Sequence, residues 1–248
     1  MKSLGSYLLF MARVFTNREK FKVYAKLYWD ECMIIGIDSL IIVSIVSSFI
    51  GAVTAVQTVY NLVSPLIPLY IVGVIVRDMT ILELAPTITA IVFAGKVGSN
   101  IAGQLGTMRI TEQVDALEVM GINSASYLVL PKIISGLTMY PLLVILSGFL
   151  AILGGYFAGT FAELLTPEEY IMGIRSDFKP FGIFFAFIKS IVFSFLVTSI
   201  SAYKGYHTAG GALEVGVAST QAVTNSCIAI LVADFLLAQL LAEFLVVS

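Results

Sequence analysis

Three charged side chains stand in stretches of sequence that are otherwise apolar: Glu83, Lys189 and Asp234. A charge near the middle of a membrane helix costs about 2.5–3.5 kcal/mol on insertion scales, so such groups face one another, a ligand or water. Two carboxylates and an amine admit three kinds of chemistry. Lys189 can neutralise both carboxylates and fix the packing of three helices, Glu83 and Asp234 can form an acid and base pair acting on a lipid, or the three can couple transport to an ion. Counted at about 1.5 Å per residue, all three fall in roughly the middle third of a bilayer. The expected arrangement has Lys189 between the two carboxylates. Arg77 and Asp78 lie nearer the opposite membrane face, where long side chains reach the interface cheaply, which makes them the residues for a possible lipid headgroup contact.

Other chemistries find no residues. The chain has no GxxxxGK[ST] loop for nucleotide phosphates and no nucleophile elbow. Its only histidine is His207 and its only cysteines are Cys32 and Cys227, too few for a zinc site or a disulfide framework. No catalytic residue, no metal and no cofactor are expected on this chain.

The elements that must position those charges are membrane helices. Of 248 residues, 58% are hydrophobic and 12% charged, about half the charged fraction of a soluble domain. Five spans are expected, at about 34–59, 66–95, 133–161, 181–203 and 226–246, giving an all-α integral membrane fold. Asn61, Pro65 and Pro68 separate the first two. Gly155 and Gly159 have the GxxxG spacing of close helix packing. Residues 1–30 mix Tyr7, Leu8, Phe10, Val14, Phe15 and Phe21 with Arg13, Arg18, Lys20, Lys22 and Lys26. That pattern suits an interfacial amphipathic helix on anionic lipid, with a disordered basic tail as the alternative. It lacks a cleavage signature and is read as retained. Residues 31–248 are then one transmembrane domain, and nothing supports a nucleic-acid partner. Basic residues of the N-terminal segment and around Lys96, Arg109, Lys132 and Lys204 fall on one side, and only Arg175 and Lys179 on the other. The N-terminus is therefore expected in the cytoplasm.

The connection from Lys96 to Lys132 is long for a join between two spans. Its first half, through Gly106, is rich in small residues that permit close backbone approach. Its second half is expected to form a short helix at about 112–121. Thr111 would be its N-cap, Glu112 and Asp115 would lie in the first turn, Val114, Leu117 and Met120 along one side, and Gly121 at the end. From spacing alone, that helix either covers the cytoplasmic ends of the bundle or docks onto another protein.

Glu83-Leu-Ala-Pro86, Phe93-Ala-Gly-Lys-Val-Gly98 and the run from Leu105 to Gly121 resemble the signature of the MlaE/YrbE permease family. Ile188 to Phe193, Gly205-Tyr206 and Gly216 to Val223 are similar to later family segments, in order. The resemblance implies a homodimeric permease of the bacterial inner membrane, bound to two cytoplasmic ABC ATPase subunits that hold the ATP. It also implies phospholipid or another hydrophobic lipid as cargo and an MCE-domain lipid-binding protein outside. Thr111, Glu112, Gln113, Asp115, Leu117, Glu118, Met120 and Gly121 would then form the coupling segment that enters the ATPase. Family members often carry Arg-Glu-Leu-Gly-Pro where this chain has Leu82-Glu-Leu-Ala-Pro86; Arg77, one and a half turns earlier, is the residue that could replace the missing arginine. The competing functions are an ion-coupled secondary transporter, although no inverted repeat is visible, and an intramembrane lipid-modifying enzyme.

Overall fold

The computed structural model describes the backbone of residues 2–16, 21–62 and 67–247 and the side chains of 5–16, 22–62 and 67–240. Arg18, Lys20, Pro65, Leu66 and the Phe21 side chain, given roles above, lie outside the described residues. Every regular element within them is helical, the arrangement that lets a chain satisfy its own backbone groups in lipid. The order is α1 (Lys2–Val14), α2 (Phe21–Ile35), a short 3-10 turn, α3 (Leu40–Asn61), α4 (Tyr70–Met79), a wide-turned π segment (Thr80–Ile88) and α5 (Thr89–Phe93). A second π segment (Ala94–Gly98) follows, then α6 (Ser99–Ile110), α7 (Gln113–Val119), α8 (Ser124–Phe161), α9 (Pro167–Arg175), α10 (Phe181–Tyr206) and α11 (Ala212–Val247).

Four stretches, Lys22–Asn61, Ser124–Phe161, Phe181–Tyr206 and Ala212–Leu240, are long and apolar enough to cross a membrane. The predicted span at 66–95 is helical from Tyr70 onward, but its wide turns divide it into pieces of 5 to 12 residues and it is not among the four. The supposed long connection is also mostly helix. Helical turns continue to Ile110, and α8 begins at Ser124, well before the expected start near Ile133. Polar residues such as Lys132 are compatible with a helix that extends beyond the apolar layer, so hydropathy alone placed that boundary late.

Contacts group the described residues into two units. One comprises 1–39, 90–140 and 191–233. In it the N-terminal stretch is helix rather than tail, burying Phe10, Met11 and Val14 while Leu8 and Leu9 stay exposed. Tyr7 donates to Ser199 Oγ at 2.7 Å. Helices α6 and α10 meet at bare backbone, because a Cβ on Gly205 would come 2.6 Å from the Ala102 carbonyl oxygen. Buried Lys132 pairs with Glu31 at 2.5 Å and donates to Gln104 at 2.7 Å, tying together α2, α6 and α8.

The second unit comprises 40–89, 141–190 and the residues from 234. Its tightest crossing joins α3 to α8, where a Cβ on Gly51 would stand 1.8 Å from Ala151 O and one on Gly154 2.1 Å from Ser48 O. The predicted Gly155/Gly159 pair is only partly used there: Gly155 also lies beneath the Tyr170 hydroxyl, and Gly159 beneath Leu165. Ala55, Val72, Val76, Leu165 and Tyr170 form the core around which α4 and α9 pack. Thr166 and Glu169 cap the start of α9 reciprocally, in a capping box with Pro167 in the first turn.

Candidate functional site

The structure brings Glu83, Lys189 and Asp234 together. Lys189 on α10 is fully buried, and its Nζ lies 2.7 Å from Glu83 Oε1 and 2.7 Å from Asp234 Oδ1. Nζ also donates to the Leu82 carbonyl at 3.0 Å. Pro86, four residues on, has no N–H to give that carbonyl the bond of an ordinary α-helix, and the turn is wide there. Three oxygens thus lie within 3.0 Å of one ammonium, the Asp234 contact being an ion pair without hydrogen-bond geometry, and the Phe185 ring lies 4.7 Å from the nitrogen. One cation between two carboxylates leaves one formal negative charge. The Glu83 side chain is 46% exposed against 18% for Asp234, so Glu83 is the open side of the cluster. It sits in the first π segment, and wide turns of this kind concentrate at functional sites.

Arg77 does not reach toward a headgroup. It is 2% exposed, and its guanidinium closes the C-terminal end of α9. Nη1 donates to Ile174 O at 2.9 Å and Ser176 O at 2.5 Å, Nη2 to Asp177 O at 3.3 Å, and Nε to Asp78 Oδ1 at 2.8 Å. The headgroup assignment for Arg77 is therefore corrected, as is its substitution for the arginine missing before Glu83, because its guanidinium is spent on Asp78 and the carbonyls after α9. Asp78 is half-exposed beside Arg77.

At the other candidate segment, α6 and α7 meet in a sharp elbow. Thr111 does not cap α7. Its hydroxyl donates back to Thr107 O at 2.8 Å and accepts from Gln113 Nε2 at 3.1 Å, so it finishes α6 instead. The N-cap is Glu112, at φ +60°, a left-handed conformation uncommon outside glycine. Asp115 holds the elbow through a 2.5 Å ion pair with Arg109. Gly121, at φ +79°, ends the helix as expected. The apolar stripe divides: Val114 is buried and Leu117 half-buried, whereas Val119 and Met120 are 89% and 65% exposed. Glu118 accepts from Ser124 at 2.9 Å and from Tyr206 at 3.0 Å. The Ser124 hydrogen bond, with help from Tyr206, Arg13 and Arg109, holds its carboxyl below the usual glutamate range against the opposing effect of burial.

A family model described as Permease MlaE matches residues 28–240. The chain belongs to the MlaE permease family. A probable ABC transporter permease protein of Rickettsia bellii is 34% identical over 239 residues, covering 96% of this chain and 92% of the relative. An intermembrane phospholipid transport system permease protein MlaE of Haemophilus influenzae is 26% identical, covering 95% and 90%. The chloroplastic protein Trigalactosyldiacylglycerol 1 of Arabidopsis thaliana is 32% identical, covering 82% of this chain and 57% of its own length.

As an MlaE-family permease the chain is a transport subunit, and an enzymatic use of Glu83 and Asp234 falls away. Sequence reasoning missed several groups that shape these places. Tyr206 and Ser124 look like ordinary helix residues until the fold brings them to Glu118. Lys132 reads as a flanking charge yet is buried. The Thr166-Pro-Glu-Glu169 motif was a readable signal, being the spacing of a capping box.

Proposed function

We propose that this MlaE-family permease is the membrane subunit of an ABC transporter moving phospholipid, or another hydrophobic lipid, between membranes of a bacterial envelope. Two copies form the passage in the inner membrane, cytoplasmic ATPase subunits bind the ATP, and an MCE-domain protein receives or delivers lipid outside. The N-terminus is cytoplasmic, and the helical run from Tyr70 to Ile110 supplies a fifth crossing. The relatives named as ABC permeases and as a phospholipid transport permease support the assignment. Apolar side chains toward the end of α11, with Phe235, Leu236 and Leu240 each more than half exposed in the single chain, offer a face to a second copy or to lipid.

The observation that carries the mechanism is α7. It is anchored from behind by Val114 and Glu118 and offers Val119 and Met120 outward, the form of a short helix that enters a partner's groove. Closure of an ATPase pair around ATP would draw two such helices together and change the shape of the passage between the permease copies. Leu117, half-buried, is a poor place to probe this because a charge there would also disturb the fold. Met120→Asp and Val119→Asp are the appropriate variants. Each is expected to abolish copurification of the ATPase while the chain keeps its melting temperature, and undiminished ATPase binding in both would refute the coupling role.

A further inference from the structure

At the turn between α10 and α11 lies an open cavity of about 360 Å³ lined by Tyr203, Lys204, His207, Glu214, Val217 and Gln221 among others. Its size is that of a small-molecule site, roughly 300–1,000 Å³. The cavity carries a cation and an anion that make no direct ion pair with each other. Lys204 donates to Gln221 Oε1 at 3.1 Å, and among the described residues no ion pair joins it to Glu214. The turn places Glu214 deliberately. Gly210 has φ +118°, and a Cβ there would meet Glu214 Cγ at 2.9 Å, so the glutamate stem lies over the glycine. His207 forms a fixed wall: its Nδ1 lies 2.9 Å from the Tyr203 carbonyl, which can only accept, and its ring packs 4.5 Å from Tyr203 and 5.2 Å from Phe10. From Val217 an exposed strip continues along α11 through Gln221 and Thr224 to Ile228 and Leu231.

We propose that this cavity binds the headgroup of an aminophospholipid, with Lys204 on the phosphate, Glu214 on the primary ammonium and the acyl chains along the exposed strip of α11. A free phosphate would leave Glu214 facing an anion. A choline headgroup would give Glu214 no N–H to accept from. An ethanolamine headgroup satisfies both residues through charge-assisted hydrogen bonds. The inference rests on the lipid-transport reading, which sets this turn at the cytoplasmic interface, where headgroups lie.

The test uses the full-length chain with its copurifying subunits, reconstituted in nanodiscs of equal phosphatidylethanolamine and phosphatidylcholine, then extracted and weighed by native mass spectrometry. The wild type is expected to retain phosphatidylethanolamine in preference. Glu214→Gln should lower its retention about ten-fold and remove the preference, and Lys204→Met should lower retention of both lipids about ten-fold, the size expected for one charged hydrogen bond. Glu214 is exposed, so its variant should keep the wild-type melting temperature, whereas Lys204, partly buried and bonded to Gln221, should lose about a degree or two at most. Glycerophosphoethanolamine is expected to displace the bound lipid. Equal retention of the two lipids by the wild type, an unchanged preference in Glu214→Gln, or displacement by inorganic phosphate at the same concentration as by glycerophosphoethanolamine would each overturn the proposal. Absence of an ATPase from the wild-type preparation would count against the transporter reading alone, leaving the lipid result to stand by itself.

Discussion

Replacing Lys189 with methionine keeps the length and apolar stem of the side chain and removes only the ammonium. What remains is two carboxylates that had shared it at 2.7 Å each, together with the Leu82 carbonyl, which loses its donor. Removing one partner of a buried ion pair costs roughly 3–5 kcal/mol. Asp234, at 18% exposure, bears most of that loss, whereas Glu83, at 46%, stands on the open side of the cluster and is discounted accordingly. The orphaned carbonyl adds about 1–3 kcal/mol. A net loss of about 4–8 kcal/mol is therefore expected, and at about 2–4 °C per kcal/mol for a chain of this size the midpoint should fall by roughly 8–32 °C. Thermal unfolding of the purified chain in detergent measures this. Adding Asp234→Asn to Lys189→Met should restore about half the loss, because the deeper uncompensated charge is gone. Adding Glu83→Gln should restore less. A Lys189→Met chain that melts with the wild type, or a double variant no more stable than the single one, would show that the ammonium does not hold these helices together.

Arg77→Met should release the carbonyls at the end of α9 and lower the melting temperature by several degrees, and lysine should rescue only part of that because it cannot reproduce the guanidinium fork. Gly173→Ala would place a Cβ 2.0 Å from the Tyr70 carbonyl and should prevent accumulation of folded protein, whereas Gly95→Ala meets nothing within 4 Å and should be tolerated. Glu118, whose carboxyl titrates below its ordinary range, contributes stability that is complete above that range and is lost as pH falls through the folded value. Protease protection of residues 111–121 should therefore hold at neutral pH and decline in acid, and Glu118→Gln should weaken it at neutral pH and flatten the acid dependence.

The features legible in the sequence were those set by solvent. Long apolar runs announce helices in lipid, and a charge within such a run needs a partner, which makes the meeting of Glu83, Lys189 and Asp234 foreseeable from their rarity. Local chemistry was harder to read where two elements compete for one residue. Thr111 could cap α7 or finish α6, and only the elbow at Glu112 decides it. Arg77 has the appearance of an interfacial charge because its acceptors are backbone carbonyls at 174–177, which no residue pattern marks. Likewise, the partition of Val114 from Val119 and Met120 depends on which side of α7 the fold covers.

Wide helical turns hold more residues than the 3.6 of ordinary winding, so a run of them takes in extra residues while the helix continues on either side. The stretch from Thr80 to Gly98 contains two such segments. Loss of one residue there would let the coil rewind with its neighbours still correctly aimed. Loss of one residue in α10 would swing everything beyond it by about 100°. Length variation of the chain is thus tolerable beside the carboxylate of Glu83 and ruinous beside the amine it faces.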